Sequence, residues 1–401
     1  MTKPVAAPTG GDRQSMRFML LYALAAAGGA MAYIPFLAIL LPVRVEAMAG
    51  GEHISWLAYC AFVGAVAASL SHILFGWLSD RTQNRGGWIG GGLFLSSTLL
   101  LAMSWAGDLA LLLTLLVAWQ ISLNMMLAPL AALGGDFVPD RQKGLLGGLL
   151  AFSPAIGAAS GALVTIPGFA AADMRLAIVA MLVALCVLPV LLFGKPRPFP
   201  ELLEPVVKEA GPRDRGPRNL VVRMWLGRLL VQIAEAALFA YLYIWFRSIS
   251  SDIRDDDAAQ VFTIVLVVAV PATLFVGRWA DRNDRPIMPL VICAAITATA
   301  LLVMATATAL PVAMIGYGLF GFASSIFLAL HSAQTLRVLP RPQHRGRDLG
   351  FFNLTNTVPS LVMPGLTLAM VPLFGFSGLF ALLALLAALA ALLLATVARP
   401  R

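Results

Sequence analysis

Charge is what this chain has least of. Asp, Glu, Lys and Arg make up 12% of its 401 residues, against 60% hydrophobic residues, where soluble domains run at about 25% charged. Such a composition excludes an ordinary soluble domain and makes lipid the solvent of the fold. Cysteine, too, is scarce. Cys60, Cys186 and Cys293 stand in three separate apolar runs, which excludes a disulfide framework and a thiolate metal site. The four histidines, His53, His72, His331 and His344, are scattered without His/Glu metal spacing, so no metal and no cofactor is expected. The Gly-x-x-x-x-Gly-Lys-Ser/Thr loop of an ATP-driven pump is also missing. So are the clustered nucleophile and base of an enzyme and the soluble domain of a sensor. The polar stretch Met1–Met16 lacks the short apolar core and small-residue site of a cleaved leader, so the first apolar run is expected to be retained.

Long apolar runs are what the chain does have. Cut at charges and Pro/Gly clusters, they predict twelve spans, at 18–43, 55–79, 88–106, 109–135, 144–166, 173–194, 220–246, 258–280, 286–306, 309–335, 347–370 and 374–397, each near the ~20 residues a bilayer requires. The fold class is therefore an all-α membrane protein, with twelve transmembrane helices in two pseudo-symmetric six-helix bundles. The bundles comprise residues 1–194 and 220–401, joined by the polar, Pro-rich linker 195–219.

The basic residues orient these spans. With both termini and every even-to-odd connection on one side, 23 of the 28 Lys and Arg fall there, and only Arg44, Arg175, Arg247 and Arg254 fall opposite. The positive-inside rule makes the rich side cytoplasmic, and the expected location is the plasma (inner) membrane, multi-pass with both termini cytoplasmic. Topology thus accounts for the formal charge of +8, and a nucleic-acid partner has no support. The acidic loop Ser248–Asp257 lies on the other side as a solvated face.

Two markers repeat at one period. Gly76-Trp77-Leu78-Ser79-Asp80-Arg81 returns 201 residues later as Gly277-Arg278-Trp279-Ala280-Asp281-Arg282, each followed by a further arginine, Arg85 or Arg285. Pro139-Asp140-Arg141-Gln142-Lys143-Gly144 is answered by Pro340-Arg341-Pro342-Gln343-His344-Arg345-Gly346. Ordered repeats at a constant offset mark a duplicated architecture. In an apolar chain, parallel halves point to a transporter that rocks one half against the other.

Gly76-x-Leu78-x-Asp80-Arg81 with Arg85 resembles the signature loop of the major facilitator superfamily, and its weaker copy lies between spans 8 and 9. The form Gly76–Thr82, with Asp136-Phe137-Val138-Pro139 and Asp348-Leu349-Gly350, is similar to the glycoside–pentoside–hexuronide cation symporter branch. One departure matters: that branch's melibiose-permease-like sodium site needs carboxylates within span 2, and Trp56–Ser79 contains none. Ser153-Pro154-Ala155-Ile156-Gly157 loosely resembles an element of drug/proton antiporters without its first glycine. The superfamily resemblance implies a monomer, and a gate in which Asp80 faces the start of span 11 and Asp281 the start of span 5. Such contacts favour a carboxylate at a helix N-terminus, with Gly76 and Gly277 allowing close approach. The gating set is Gly76, Asp80, Arg81, Arg85, Gly277, Asp281, Arg282 and Arg285.

Charge inside a membrane is costly and usually functional. Glu235, mid-span 7, is the candidate proton-coupling residue. Arg228 and Gln232 share its helical face at spacings of i, i+4 and i+7. Arg228 is read as a substrate clamp or a partner of Glu235. Asn353, Asn356, Thr357 and Ser360 in span 11, Gln120 and Asn124 in span 4, and Tyr22 and Tyr33 in span 1 are candidate cavity-lining residues. His72 is a packed histidine or a proton carrier. The expected function is proton-coupled movement of a small polar neutral or anionic solute, sugar-like or an organic acid. The alternative is proton-driven efflux of drugs or metabolites.

Overall fold

The computed structural model describes residues 13–139, 142, 145, 146, 149, 150, 152–199, 218–283, 285, 287–338 and 345–398, with backbone alone at 218–220, 281, 332, 333, 335–338, 345–354, 357 and 398. Among these residues everything regular is helical. Nine stretches among the described residues are long and apolar enough to cross a membrane. Two of them, Met16–Thr82 and Val358–Val397, hold two predicted spans each. Predicted span 5 is represented by Ser153–Thr165, and residues 144, 147, 148 and 151 of its expected range lie outside the described set.

We number the helices α1 (Met16–Pro35), α2 (Leu41–Ala49), α3 (His53–Thr82), α4 (Arg85–Ala102), α5 (Leu109–Phe137), α6 (Ser153–Thr165), α7 (Arg175–Phe193), α8 (Arg218–Ile249), α9 (Asp255–Arg282), α10 (Met288–Ala305), α11 (Leu310–Val338) and α12 (Arg345–Ala398). Span 1 is α1 plus α2, joined through a π-helical turn, Phe36–Leu40. Pro35 immediately precedes that turn; its ring cannot donate a ladder bond and displaces the preceding carbonyl, which the wider turn accommodates. Spans 11 and 12 form α12, bent at Gly375, whose φ of 65° is open to glycine and strained for other residues.

Local signals set the other ends. Ser15 Oγ accepts from Phe18 N at 3.2 Å, Asn84 Oδ1 from Gly87 N at 2.9 Å and Asp108 Oδ1 from Leu111 N at 2.8 Å. Each satisfies an orphan amide at a helix start. Gln83, left-handed at φ 52°, ends α3. Inside the bundle, packing depends on small residues, as expected where lipid is as apolar as leucine. A Cβ on Gly92 of α4 would lie 2.4 Å from Met126 N of α5, so those two backbones meet because there is no side chain between them.

The halves touch along α3–α12 and α6–α9, with α8 against α2 and the π turn. These are duplicate contacts: second helix of one half with the fifth of the other, in both directions. An apolar seam of Ala30, Ile34 and Ala158, flanked by Tyr33, Phe239 and Phe262, lies between the halves.

A polar knot ties three segments beneath the N-terminal half. Gln14, 3% exposed, takes Gln142 Oε1 on its amide at 2.6 Å. Its Nε2 donates to Phe137 O at 2.9 Å and to Arg197 O at 3.1 Å, and its Oε1 accepts from Arg197 N at 3.1 Å. Gln142 Nε2 returns a bond to Gln14 O at 3.1 Å. Buried amides stay at low cost only when their donors and acceptors are matched in this way.

Candidate functional site

The site is built on two helices carrying matched polar stripes. α8 presents Arg228, Gln232 and Glu235. α11 presents Ser324, the Leu328 carbonyl and His331, at the same i, i+4, i+7 spacing but in reverse order along the packed helices. The side chains meet level by level. Ser324 Oγ donates to Glu235 Oε1. Arg228 Nη1 donates to Leu328 O at 3.3 Å. His331 Nε2 faces Met224 O at 2.9 Å, an arrangement in which the ring nitrogen must donate. Arg228 Nε also donates to Gln232 Oε1 at 3.2 Å, and Nη2 to Asn356 Oδ1 of α12 at 3.3 Å. Arg228, Gln232, Glu235 and Ser360 are partly accessible and Asn356 is exposed, all on spans that cross the membrane.

The structure therefore brings Arg228, Gln232 and Asn356 together, with Glu235 two turns away and hydrogen-bonded to Ser324. Asn353 and Thr357 have side chains outside the described residues. Gln120 and Asn124 are buried elsewhere, between α3 and α5. Asn124 Nδ2 donates to Gln120 O at 2.9 Å, and Asn124 Oδ1 faces His72 Nδ1 at 3.1 Å, so His72 is a packed, hydrogen-bonded histidine. Tyr22 donates to Ala131 O at 3.3 Å inside the N-terminal half, whereas Tyr33 borders the seam between the halves. The eleven-residue spacing put both tyrosines on one face of α1, but the curvature of the span and its different neighbours separate their roles.

The signature loop differs from expectation. Asp80 pairs with Arg85 of its own half at 2.5 Å. Arg85 also reaches Asp136 at 3.0 Å and Ser79 Oγ at 2.6 Å, and Arg81 lies 5.4 Å over the Trp77 ring. A Cβ on Gly76 would meet nothing within 4 Å, which corrects the expectation of close helix approach there. Trp77 is 53% exposed and the Asp80 side chain 64%. In the second copy, Gly277 does approach a neighbour: its Cβ would lie 3.2 Å from Leu330 Cδ2. Arg282 and Arg285 are exposed; the Asp281 side chain, Lys143, Gly144 and the Asp348 side chain lie outside the described residues.

The opposite, arginine-poor face is latched. Arg175 of α7 pairs with Asp255 of α9, and Arg247 of α8 pairs with Glu46 of α2 at 3.4 Å. Both bridges join one half to the other. Arg44 Nη2 is held by the Ser104 and Ala106 carbonyls at 3.0 and 2.9 Å, and Arg254 by Asp256 at 2.8 Å. All four arginines of this face are thus engaged. Sequence reasoning missed Ser324, His331 and both bridges. The i, i+7 spacing of Ser324 and His331 was available as a signal; the bridges join residues from distant parts of the chain, and no sequence spacing announces them. Pro154, in the antiporter-like element, is in the first turn of α6. Gly157 packs on α1, where a Cβ would come within 3.0 Å of the Ala30 carbonyl carbon, so this element is accounted for by packing.

Comparison with known proteins agrees with this geometry. A structure of a POT family transporter in complex with 5-aminolevulinic acid superposes with a TM-score of 0.74 at 12% identity, covering 95% of this chain and 95% of that one. The human organic anion transporter MFSD10 (TETRAN) gives 0.64 at 16% identity, covering 94% of this chain and 99% of that one. No curated protein sequence matches significantly. The fold is that of these multi-pass membrane transporters. Residues 224–401 match the family model of the Major Facilitator Superfamily, so the second half carries that superfamily's sequence and the whole chain the fold of these transporters.

Proposed function

We propose that this chain is a secondary active transporter that moves a small organic solute by alternating access, coupled to protons through Glu235. The observation that carries this reading is the paired stripe. A carboxyl group with one hydroxyl partner sits at membrane depth, two helical turns from an arginine whose neighbours are amides. Such a carboxyl can gain and lose a proton as access alternates, because water reaches it in one state and the packed α8–α11 interface surrounds it in the other. Only a group with different surroundings in the two states can couple a gradient to motion.

The conformation fits one stage of that cycle. The arginine-poor face, taken as the outer one from the charge distribution, is closed by two inter-half ion pairs and the apolar seam. The test is flux in proteoliposomes under an imposed pH gradient or an imposed sodium gradient, comparing the wild type with Glu235→Gln. Proton-driven flux lost in Glu235→Gln supports the reading, and its direction separates import from efflux. Sodium-driven flux that the substitution leaves intact would sink it.

A further inference from the structure

We infer that Tyr317 is a positioning residue for proton exchange at Glu235, its hydroxyl serving the carboxyl oxygen that Ser324 leaves unbonded; this rests on the proton-coupling reading above. A carboxyl that gains and loses a proton needs neighbours that donate to its ionised form and accept from its neutral one. Hydroxyls do both, whereas a guanidinium only donates. Ser324 is placed to do so: its Oγ lies against Glu235 Oε1 and 3.3 Å from the Gly321 carbonyl oxygen. The Ser324 proton can turn to the carboxylate, or to that carbonyl when the carboxyl carries a proton of its own. Glu235 Oε2 has no hydrogen-bond partner among the described residues.

Tyr317 is the residue in reach. It shares a face of α11 with Ser324, seven residues further on. Its ring runs along the helix toward Ser324, because Gly321 between them puts no side chain in the way: a Cβ there would stand 3.7 Å from Tyr317 Cζ. Tyr317 lies within electrostatic range of Glu235. Its hydroxyl has no hydrogen-bond partner among the described residues, although the residue is only 3% exposed. A hydroxyl so buried is costly unless another polar group meets it, directly or through one water. Phe246, edge-on at 6.1 Å, and Phe320, stacked at 6.3 Å, hold the ring, so packing alone sets where the hydroxyl points. The other titratable groups around α8 face elsewhere. Tyr241 is turned toward Cys60 and Tyr243 toward Glu46. Arg228 and His331 lie two turns away toward the opposite ends of their stripes, and Arg44 and Glu46 of α2 are engaged at the arginine-poor face. α12 and residues 258–277 of α9 carry no titratable group among their described side chains. With α11 running inward from the arginine-poor face, Tyr317 stands between that face and Glu235.

The experiment titrates the purified full-length protein in lipid by infrared difference spectroscopy, which needs no knowledge of the solute. The protonated-carboxyl C=O band that is absent from Glu235→Gln reports Glu235. In Tyr317→Phe the midpoint of that band should move up by about one pH unit, because the lost hydroxyl donates to the ionised form, and the band should move to higher frequency as the C=O loses a partner. Ser324→Ala, which removes the bond already described, gives the scale of a lost hydroxyl. Replacing Tyr317 with a ring-fluorinated tyrosine keeps its shape and makes the hydroxyl a stronger donor, so the midpoint should move the other way. This second replacement decides the matter even if Tyr317→Phe disturbs the fold. A band and midpoint unchanged by both replacements would overturn the inference and leave Glu235 as the coupling residue. A midpoint that moves in Tyr317→Phe and ignores fluorination would mark a packing effect and overturn it as well. The absence of any titrating band that depends on Glu235 would count against the inference and the proton-coupling reading together.

Discussion

Cutting the ion pairs of the arginine-poor face should release it by an amount that follows from their burial. The Arg175 and Asp255 side chains are 18% and 17% exposed, and Arg247 and Glu46 35% and 26%. Desolvation cancels most of the gross attraction of pairs at this depth. We take the net value as about 1 kcal/mol for the first pair and, after discounting for solvent screening, about 0.5 kcal/mol for the second. Neutralising Arg175 should then raise the population open on this face about fivefold, Arg247 about twofold, and both together about tenfold if they act independently. Ala158, 2% exposed in the inter-half seam, offers the reporter. With Cys60, Cys186 and Cys293 replaced, a lone Ala158→Cys should be alkylated by a membrane-impermeant thiol reagent only when the seam parts. The rates should rise in the order wild type, Arg247→Gln, Arg175→Gln, double variant, and the swap Arg175→Asp with Asp255→Arg should restore the low rate. Equal rates across the series, or a swap that stays fast, would refute the assignment of these pairs as the latch.

Three other perturbations separate structural from functional residues. Gly92→Ala should destabilise the protein by about 1–3 kcal/mol, since the new methyl meets backbone, whereas Gly76→Ala should raise the melting midpoint in detergent slightly, because its Cβ meets nothing within 4 Å and alanine favours a helix interior by about 0.5–1 kcal/mol. Asn124→Leu should cost about 1–3 kcal/mol by stranding its half-buried partner His72 yet keep the pH profile of transport; a shifted profile would place His72 in the proton path after all. Gln14→Ala should cost about 1–3 kcal/mol by leaving the Gln142 and Arg197 groups without their partner, read as a lower melting midpoint, while solute affinity stays at the wild-type value.

How much of this was legible in advance depends on what each feature draws on. The spans and the duplication were readable because lipid demands long apolar runs and a repeat preserves its markers. Arg228, Gln232 and Glu235 share one helix, so 3.6-residue periodicity alone placed them on one face. Asn356 joined them because α12 packs on α8, a fact no spacing in one helix contains. Gln120 and Asn124 looked equally suited to a cavity, but polarity on a face does not say which neighbour that face meets; theirs is α3. Gly76 shows another limit. A small residue permits close approach, yet whether the approach is made depends on the state of the two halves.

The knot at Gln14 has a consequence for how the halves are connected. By holding Arg197 against Phe137 and Gln142, it fastens the start of the connecting segment to the first half, so the tether operates from Arg197 and not from the end of α7 at Phe193. The 21 residues from there to Arg218 can reach as far as about 70 Å at full extension, well beyond what neighbouring bundles require. A connection of that length does not by itself fix the spacing of the halves. The energy that holds them together then resides in the α3–α12, α6–α9 and α8–α2 contacts. Two separately synthesised pieces, divided within the linker, should therefore find each other in the bilayer and function as one.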